Sequence, residues 1–553
     1  MMAWDRLAVV AYESPFAPCG GVAAVMKHLP GALAAEAGGR VAVFTPLHYR
    51  MPQAPRPADL LLAAVYAVPL GTRQVTVNLR HLAQDPIDWY FVGTDQIELF
   101  AGAPDPYGVG ANLTRDALFF GAAVARGLWM LDPRAAWGLH VIDWQAATTA
   151  LALASGGQIW PHRVQLALHN SYDAPLRYYD LHQVGISPHD CPPAGSPETS
   201  TVLLRALPLV APTVCTVSQQ FAHDLVSEPL HTHLLAAHLQ PHLPGRLRGV
   251  DDGCFVAPSV PAEITSAKPA AAPARLLAWK RERWVQAVEA LTTLPGQEHE
   301  PVWGDRVAFA QAAASGALAP LLMGGRDDSQ QKGYDLAAAA IDRLLAADCP
   351  AQFILLPMPG GEGLAGLGYL RELAARWPSR VLALPFRFRG YADLLAGTAY
   401  GLMPSLYEPF GSANEFYLAG TAVIARATGG LVQQVVPMPL ASGWAVGVER
   451  LARAWHQPAA VPTGYLFRED EGLSAQPEAW WRLRGSRYGG PDGREHQPLF
   501  GSMVDAFVDV TQAAVTRWRD EPEAYATMVL AGLQHVRDGF TWQRAAREYL
   551  AAL

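Results

Sequence analysis

Residues 405–421 read SLYEPFGSANEFYLAGT, which sets two carboxylates, Glu408 and Glu415, around a Pro-Phe-Gly turn that follows the apolar run GLMPS. If that run is a strand and SANEFYLAG opens a helix, the backbone N–H groups after Gly411 are unpaired donors at a helix start, which suits a phosphate. Gly411 has no Cβ to hold a ligand off the backbone, and Glu408 at the strand end can accept hydrogen bonds from sugar hydroxyls. Alone, Glu408 reads equally well as a solvated turn residue. The stretch GGRDDSQQKG at 324–333 supplies cations. It follows APLLM and precedes a helical stretch, so Arg326 as a fork and Lys332 as a point charge can converge on a diphosphate. Two more glycine turns follow strand-like runs: Gly20-Gly21 in SPFAPCGGVAAV, and Thr428-Gly429-Gly430 after TAVIARA. Each of these is also ordinary connection chemistry.

The elements that must position these turns alternate in type. RLAVVAYE, a glycine turn, the helically spaced VAAVMKHLPGALAAEAGG and then VAVFTP make a βαβ opening. GLHVID, VQLALHN and PTVCTVS continue the strand series in the first half. APLLMGG, AQFILLPMP, RVLALPF, YGLMPS and TAVIARA form a second series, with helical stretches such as GYDLAAAAIDRLLAA between them. The fold class this implies is α/β, with two successive doubly wound domains whose strand ends face across a cleft. The Ala/Pro-rich stretch at 257–276 reads as an inter-domain connection or exposed loop. The segment from about 474 to 497, including QPEAWWRLRGSRYGGPDGREHQ, has no clear period and reads as a surface insertion, and QRAAREYLAAL returns to helix.

A chain of 553 residues that is 50% hydrophobic and 17% charged can bury more than one core. Its net charge is −8 and it has no dense Lys/Arg run, so it lacks the footprint of a nucleic-acid or anionic-membrane binder. Five scattered cysteines with no Cys-x-x-Cys pair suggest neither a disulfide framework nor a cysteine zinc site. No apolar run approaches a membrane span and no leader pattern is visible, so a soluble cytoplasmic protein is expected. HTHLLAAHLQPHL holds His231, His233, His238 and His242, but no carboxylate stands at metal-ligand spacing. Surface histidines, no metal and no cofactor are expected. Gly-x-Ser-x-Gly, Walker and zinc-protease motifs are absent, and SPFAPCGG is not a dinucleotide fingerprint.

The order of these motifs resembles that of bacterial glycogen synthases and plant starch synthases, retaining glucosyltransferases of the GT-B fold. The pieces are YESPFAPCGGVAAVMKHLP, NLTRDALFFGAA, HVIDWQAA, LALHNSYD, TVSQQFAHDL, RGVDDGCFVAP, RDDSQQKGYDL, LMPSLYEPFG and ATGGLVQQVV, closed by Phe540-Thr541-Trp542 with Tyr549. The resemblance implies an N-terminal Rossmann-like, acceptor-side domain over 1–256 and a donor domain over 257–535. A C-terminal helix over 536–553 would cross back to the first. It implies a metal-independent hexosyltransferase that moves glucose from ADP-glucose or UDP-glucose to an α-1,4-glucan or oligosaccharide acceptor. Arg326 and Lys332 would take the diphosphate, Glu408 the glucose, and Gly411 phosphate. Gly20, Gly21, Asp143, His169, Asn170, Phe410, Ser412, Ala413, Glu415, Thr428, Gly429 and Gly430 would complete the donor site.

Departures from the family pattern are specific. Pro18 stands where the family has the lysine of Lys-x-Gly-Gly, Ile142 where it has the histidine before Asp143, and Gln433 where Gly-Gly-Leu-x-Asp has its aspartate. His140, two residues earlier on the same strand face, is a candidate substitute for the missing histidine. Arg326 and Lys332 are six positions apart, one more than in the family, and the shifted spacing of Glu415 makes it an approximate counterpart only. A non-catalytic or regulatory carbohydrate or nucleotide-sugar binding protein, a GT-B epimerase, and a transferase with another sugar or acceptor are the alternatives.

Overall fold

The computed structural model describes residues 4–96, 98–156, 162–195, 200–294, 299–360, 362–443, 446–490 and 492–553. The chain forms two compact units, Met1–Phe255 with Phe540–Leu553, and Val256–Gly539. Both are doubly wound and Rossmann-like, and the fold class is GT-B.

The strands of the first unit are β1 (Arg6–Val10), β2 (Val41–Pro46), β3 (Leu61–Leu70), β4 (Arg73–Gln84), β5 (Ile87–Thr94), β6 (Trp137–Ile142), β7 (Arg163–Leu168), β8 (Val214–Thr216) and β9 (Leu247–Gly249). They lie in the order β3-β4-β5-β2-β1-β6-β7-β8-β9. All neighbours are parallel except β3 with β4 and β4 with β5. The parallel strands are covered on both faces, which is why β2 and β6 are buried at every position and read as continuous apolar runs. The β3–β4–β5 meander was not expected from the sequence. Its first strand leaves Leu61, Leu62 and Val65 exposed, so no clean alternation marks it.

One face of this sheet is covered by the helices Gly21–Ala37 and Trp542–Ala552, whose side chains share a core with Val9, Val43 and Ile142. The C-terminal helix is seated by specific contacts. Trp542 stacks on His28 with ring centroids 5.5 Å apart and donates from Nε1 to the Cys254 carbonyl at 2.8 Å. A Cβ at Gly253 would lie 2.5 Å from the Trp542 nitrogen, so that approach requires glycine.

The second unit has a six-stranded parallel sheet of β10 (Ala319–Arg326), β11 (Ala351–Met358), β12 (Val381–Ala383), β13 (Tyr400–Met403), β14 (Ala422–Arg426) and β15 (Tyr465–Phe467). The order is β12-β11-β10-β13-β14-β15, so the winding direction reverses between β10 and β13. In the first unit it reverses between β1 and β6. At such a switch point the loops beyond the carboxyl ends of the strands part and leave room for a ligand.

Three sequence expectations need correction. The Ala/Pro-rich stretch at 257–276 follows the boundary between the units and is mostly exposed as far as 271, but it is not a connection throughout: from Ala272 it is the first turn of the helix Ala272–Thr292, with Pro273 in the position that needs no N–H partner. That helix is pinned by the buried Lys280, whose Nζ donates to the carbonyls of Ala396, Thr398 and Gly420 at 2.9, 2.7 and 2.6 Å. The 474–497 stretch is no loose insertion either. Trp480 and Leu483, three apart on the helix Pro477–Gly485, are fully buried, and two buried positions on nine residues, with Trp481 exposed between them, show no clear period. The histidine run is not uniformly superficial: His231 is buried against Phe221, and His238 Nε2 meets Asp173 Oδ2 at 2.9 Å, a carboxylate distant in sequence. Among the described residues no group of three or more His, Cys, Asp or Glu side chains is placed to hold a metal, and no helix is long and apolar enough to cross a membrane.

Candidate active site

In the second unit the three motifs follow three adjacent strands. Residues 327–333 follow β10, 404–412 follow β13, and 427–430 follow β14. Backbone packing locks them together. Leu406 N–H donates to the Gln331 carbonyl at 2.7 Å, and a Cβ at Gly333, whose φ is 71°, would lie 2.5 Å from the Pro404 carbonyl oxygen. Gly429, with φ at 47°, sits so close to the Glu408 carbonyl that a Cβ would be 1.7 Å from its oxygen, and a Cβ at Gly430 would be 2.3 Å from that of Phe410. Glycine at these positions lets one loop lie directly on the next. Thr428 and Phe410 are buried at this contact.

Glu408 is buried, and its Oε2 accepts from Lys332 Nζ at 2.7 Å and from Ser405 Oγ at 3.0 Å. Its other oxygen has no hydrogen-bond partner among the described residues and can accept a hydroxyl. The Arg326 guanidinium, at the end of β10, is exposed and makes no ion pair among the described residues. Burial pushes the Glu415 carboxyl upward in pKa, opposed by the positive charge of Lys332.

The helix start after Gly411 offers fewer donors than the sequence suggests. Asn414 N–H is taken by the side-chain oxygen of Gln434 at 3.1 Å, and Glu415 N–H by the Ser412 carbonyl at 3.0 Å. Only the amides of Gly411, Ser412 and Ala413 have no partner among the described residues. Gln434 also donates to the Phe410 carbonyl at 2.8 Å, so it braces both sides of the turn. It is a bracing position that sequence reading missed, visible only as one of two polar residues amid the apolar run LVQQVV.

In the first unit the candidates again follow adjacent strands: Gly20 and Gly21 beyond β1, Asp143 at the end of β6, and His169 with Asn170 at the end of β7. The Gly20-Gly21 turn is internally capped. The buried Glu13 carboxylate accepts from the amides of Gly20, of Cys19 at 2.8 Å and of Ala23 at 3.2 Å, and from the Tyr107 hydroxyl at 3.0 Å. Glu13 and Tyr107 were not singled out in the sequence; the available signal was a carboxylate at a strand end seven residues before a glycine pair.

Asp143 adopts φ 60° and accepts from His169 N–H at 2.7 Å and from Asn170 Nδ2 at 3.1 Å. Burial outweighs those bonds and, with the nearby Glu13 charge, pushes its carboxyl up to about 7. Burial drives His169 down to about 3, so its ring is neutral, and its buried Nε2 has no hydrogen-bond partner among the described residues. His140 does not replace the missing histidine. It lies 4.6 Å from the Tyr549 ring and bonds Gln165 Oε1 at 2.8 Å, because the strand face it occupies is covered by the helix Trp542–Ala552. Ile142 lies in the apolar core of the same unit.

Residues 6–240 match the starch synthase catalytic domain family. The chain is 28% identical to glycogen synthase of Dechloromonas aromatica over 436 residues, covering 76% of this chain and 82% of the relative. It is 29% identical to glycogen synthase of Anaeromyxobacter sp. (strain K) over 457 residues, 78% of this chain and 85% of the relative. In structure it resembles the catalytic domain of starch synthase IV from Arabidopsis thaliana bound to ADP and acarbose, with a TM-score of 0.71 at 16% identity, over 99% of this chain and 98% of that one. Motif order, the match over residues 6–240 and the fold agree in what this chain is similar to: the glycogen and starch synthases.

Proposed function

We propose that the protein transfers glucose from a nucleotide-glucose, ADP-glucose or UDP-glucose, to the end of an α-1,4-glucan, with retention at the anomeric carbon and without a metal. The observation that carries the reading is the Lys332–Glu408 pair at 2.7 Å, held where the loops after β10, β13 and β14 interlock. The bond from C1 of glucose to the diphosphate breaks, and a glucan hydroxyl forms its bond to C1 on the same face. The hydroxyl proton passes to the departing phosphate oxygen. Negative charge therefore grows on the diphosphate, where Lys332, Arg326 and the amides of Gly411, Ser412 and Ala413 would meet it with fixed positive charge and dipoles. Glu408 would hold the glucose hydroxyls through its open oxygen, and it is not assigned as a nucleophile. Glu415 is assigned to the nucleotide side, within the field of Lys332. Asp143, Asn170 and His169 are assigned to sugar binding at the strand ends of the first unit.

Incubating the purified protein with ADP-glucose or UDP-glucose and glycogen, and following nucleotide release and chain extension, tests this directly. Extension with one donor is expected; a folded protein inert with both would remove the reading. A second reading, donor binding without transfer, is favoured by one observation. Ile142, where the family carries histidine, is buried in apolar surroundings with no polar group of its own to offer. Calorimetry that shows donor binding in a protein without turnover would select it.

A further inference from the structure

The segment 477–500 lies behind the loop that carries Arg326 and Lys332. Its base is fixed in the second unit: Trp480 is buried, donates from Nε1 to the Ser474 carbonyl at 2.8 Å, and lies under the Arg426 guanidinium at 5.4 Å from the ring centre. Arg426 in turn donates to the Leu406 carbonyl at 2.6 Å, two residues before Glu408. From this base the segment reaches the loop at successive points. Arg484 Nη1 donates to the Gln330 carbonyl at 3.0 Å, and Gln330 Nε2 donates back to the Arg484 carbonyl at 3.1 Å. Arg494, fully buried, donates to the Ser329 carbonyl at 2.8 Å and pairs with Asp335 at 3.1 Å. The Tyr488 ring lies 5.3 Å from that of Tyr369, whose hydroxyl donates to Asp327 at 3.3 Å.

These contacts fall on residues 327, 329, 330 and 335. None falls on the side chains of Arg326 or Lys332, the two with charge to offer a diphosphate. The loop is also one residue longer between those cations than in the family it resembles, and a longer loop has more conformations to lose. Misplacing a charged group by 1 Å costs about 10²-fold in rate, so a brace on the backbone matters as much as the cation it presents.

We propose that Arg484 and Arg494 are positioning residues for the donor's diphosphate: they grip the carbonyls of Gln330 and Ser329 and so fix where Arg326 and Lys332 point. This rests on the nucleotide-sugar reading above. Arg484, half-buried and with its side chain bonded, among the described residues, only to the loop, gives the cleaner test, because Arg494 also neutralises the buried Asp335 and its loss could unfold the unit.

The experiment compares wild type, Arg484→Ala and Arg484→Lys by thermal melting, by calorimetric titration with ADP and UDP, and by steady-state kinetics with glycogen. Arg484→Ala should keep its melting temperature, bind the diphosphate about tenfold more weakly and raise the donor KM by a similar factor, with the acceptor KM unchanged. Arg484→Lys, which can still donate to the Gln330 carbonyl, should recover most of the loss. Diphosphate binding and donor KM unchanged in Arg484→Ala would overturn the proposal while leaving the function reading intact. A wild-type protein that binds neither nucleotide would overturn both.

Discussion

In the second unit the loops at the strand ends are held by backbone lying on backbone, with glycine at 333, 429 and 430 where a Cβ would collide with main-chain atoms. In the first unit the equivalent strand ends are held by buried carboxylates: Glu13 caps the Gly20-Gly21 turn, and Asp143 ties the end of β6 to the end of β7. A backbone lock admits almost no substitution and preserves the loop geometry together with the motif. A carboxylate lock fixes amides while leaving neighbouring side chains open to change. The first unit departs from the family at Pro18 and Ile142, while the second keeps Arg326, Lys332, Glu408 and all the glycines of the backbone lock and departs at Gln433, in the length of the 326–332 loop and in the spacing of Glu415, all positions outside that lock.

The strongest way to break this contrast is Gly429→Ala. At φ 47° and 1.7 Å from a carbonyl oxygen, a Cβ must displace the Glu408 loop. Activity should fall by at least about 10³-fold, with a destabilisation of about 3 kcal/mol or more measured by denaturant unfolding. Lys332→Ala should follow, with kcat/KM down about 10²-fold because it removes the charge that meets the leaving group, and with a lowered melting temperature because buried Glu408 loses its cation and keeps only Ser405 among the described residues. Unchanged kinetics would remove its role.

Asp143→Asn probes the carboxylate lock through pH. The folded Asp143 carboxyl holds its proton up to about 7, whereas an exposed aspartate releases it near 4. The folded state therefore binds more protons across that window, and this group makes stability fall as pH rises from about 4 to about 7, with no further change above. Asn, which cannot ionise, should flatten that slope in urea unfolding at stepped pH. Gly20→Ala should have the smallest effect, below about 1 kcal/mol, because φ is −139° and a Cβ would stand 3.7 Å from Glu13. A large loss there would show that the first unit relies on glycine as the second does.

The wound architecture and the second unit's site were legible because short motifs at strand ends carry their own geometry: GGRDDSQQKG, EPFG and TGG each join strand to turn, and the structure brings them together. The first unit's lock was less legible: Asp143 stood out only within HVIDWQAA, and Glu13 meets Gly20 and Tyr107 only through folding. The amide of Asn414 looked available until Gln434, twenty residues away, took it. The 477–497 segment was misread because its grip on the 326–333 loop uses side-chain to carbonyl bonds across about 150 residues, which leave no periodic trace.

The most direct test of the central claim is a crystal structure of the protein soaked with ADP-glucose or UDP-glucose. The account predicts the diphosphate against Lys332, Arg326 and the amides of Gly411, Ser412 and Ala413, with a glucose hydroxyl on Glu408. A nucleotide bound away from these groups, with the Lys332–Glu408 pair undisturbed, would contradict it.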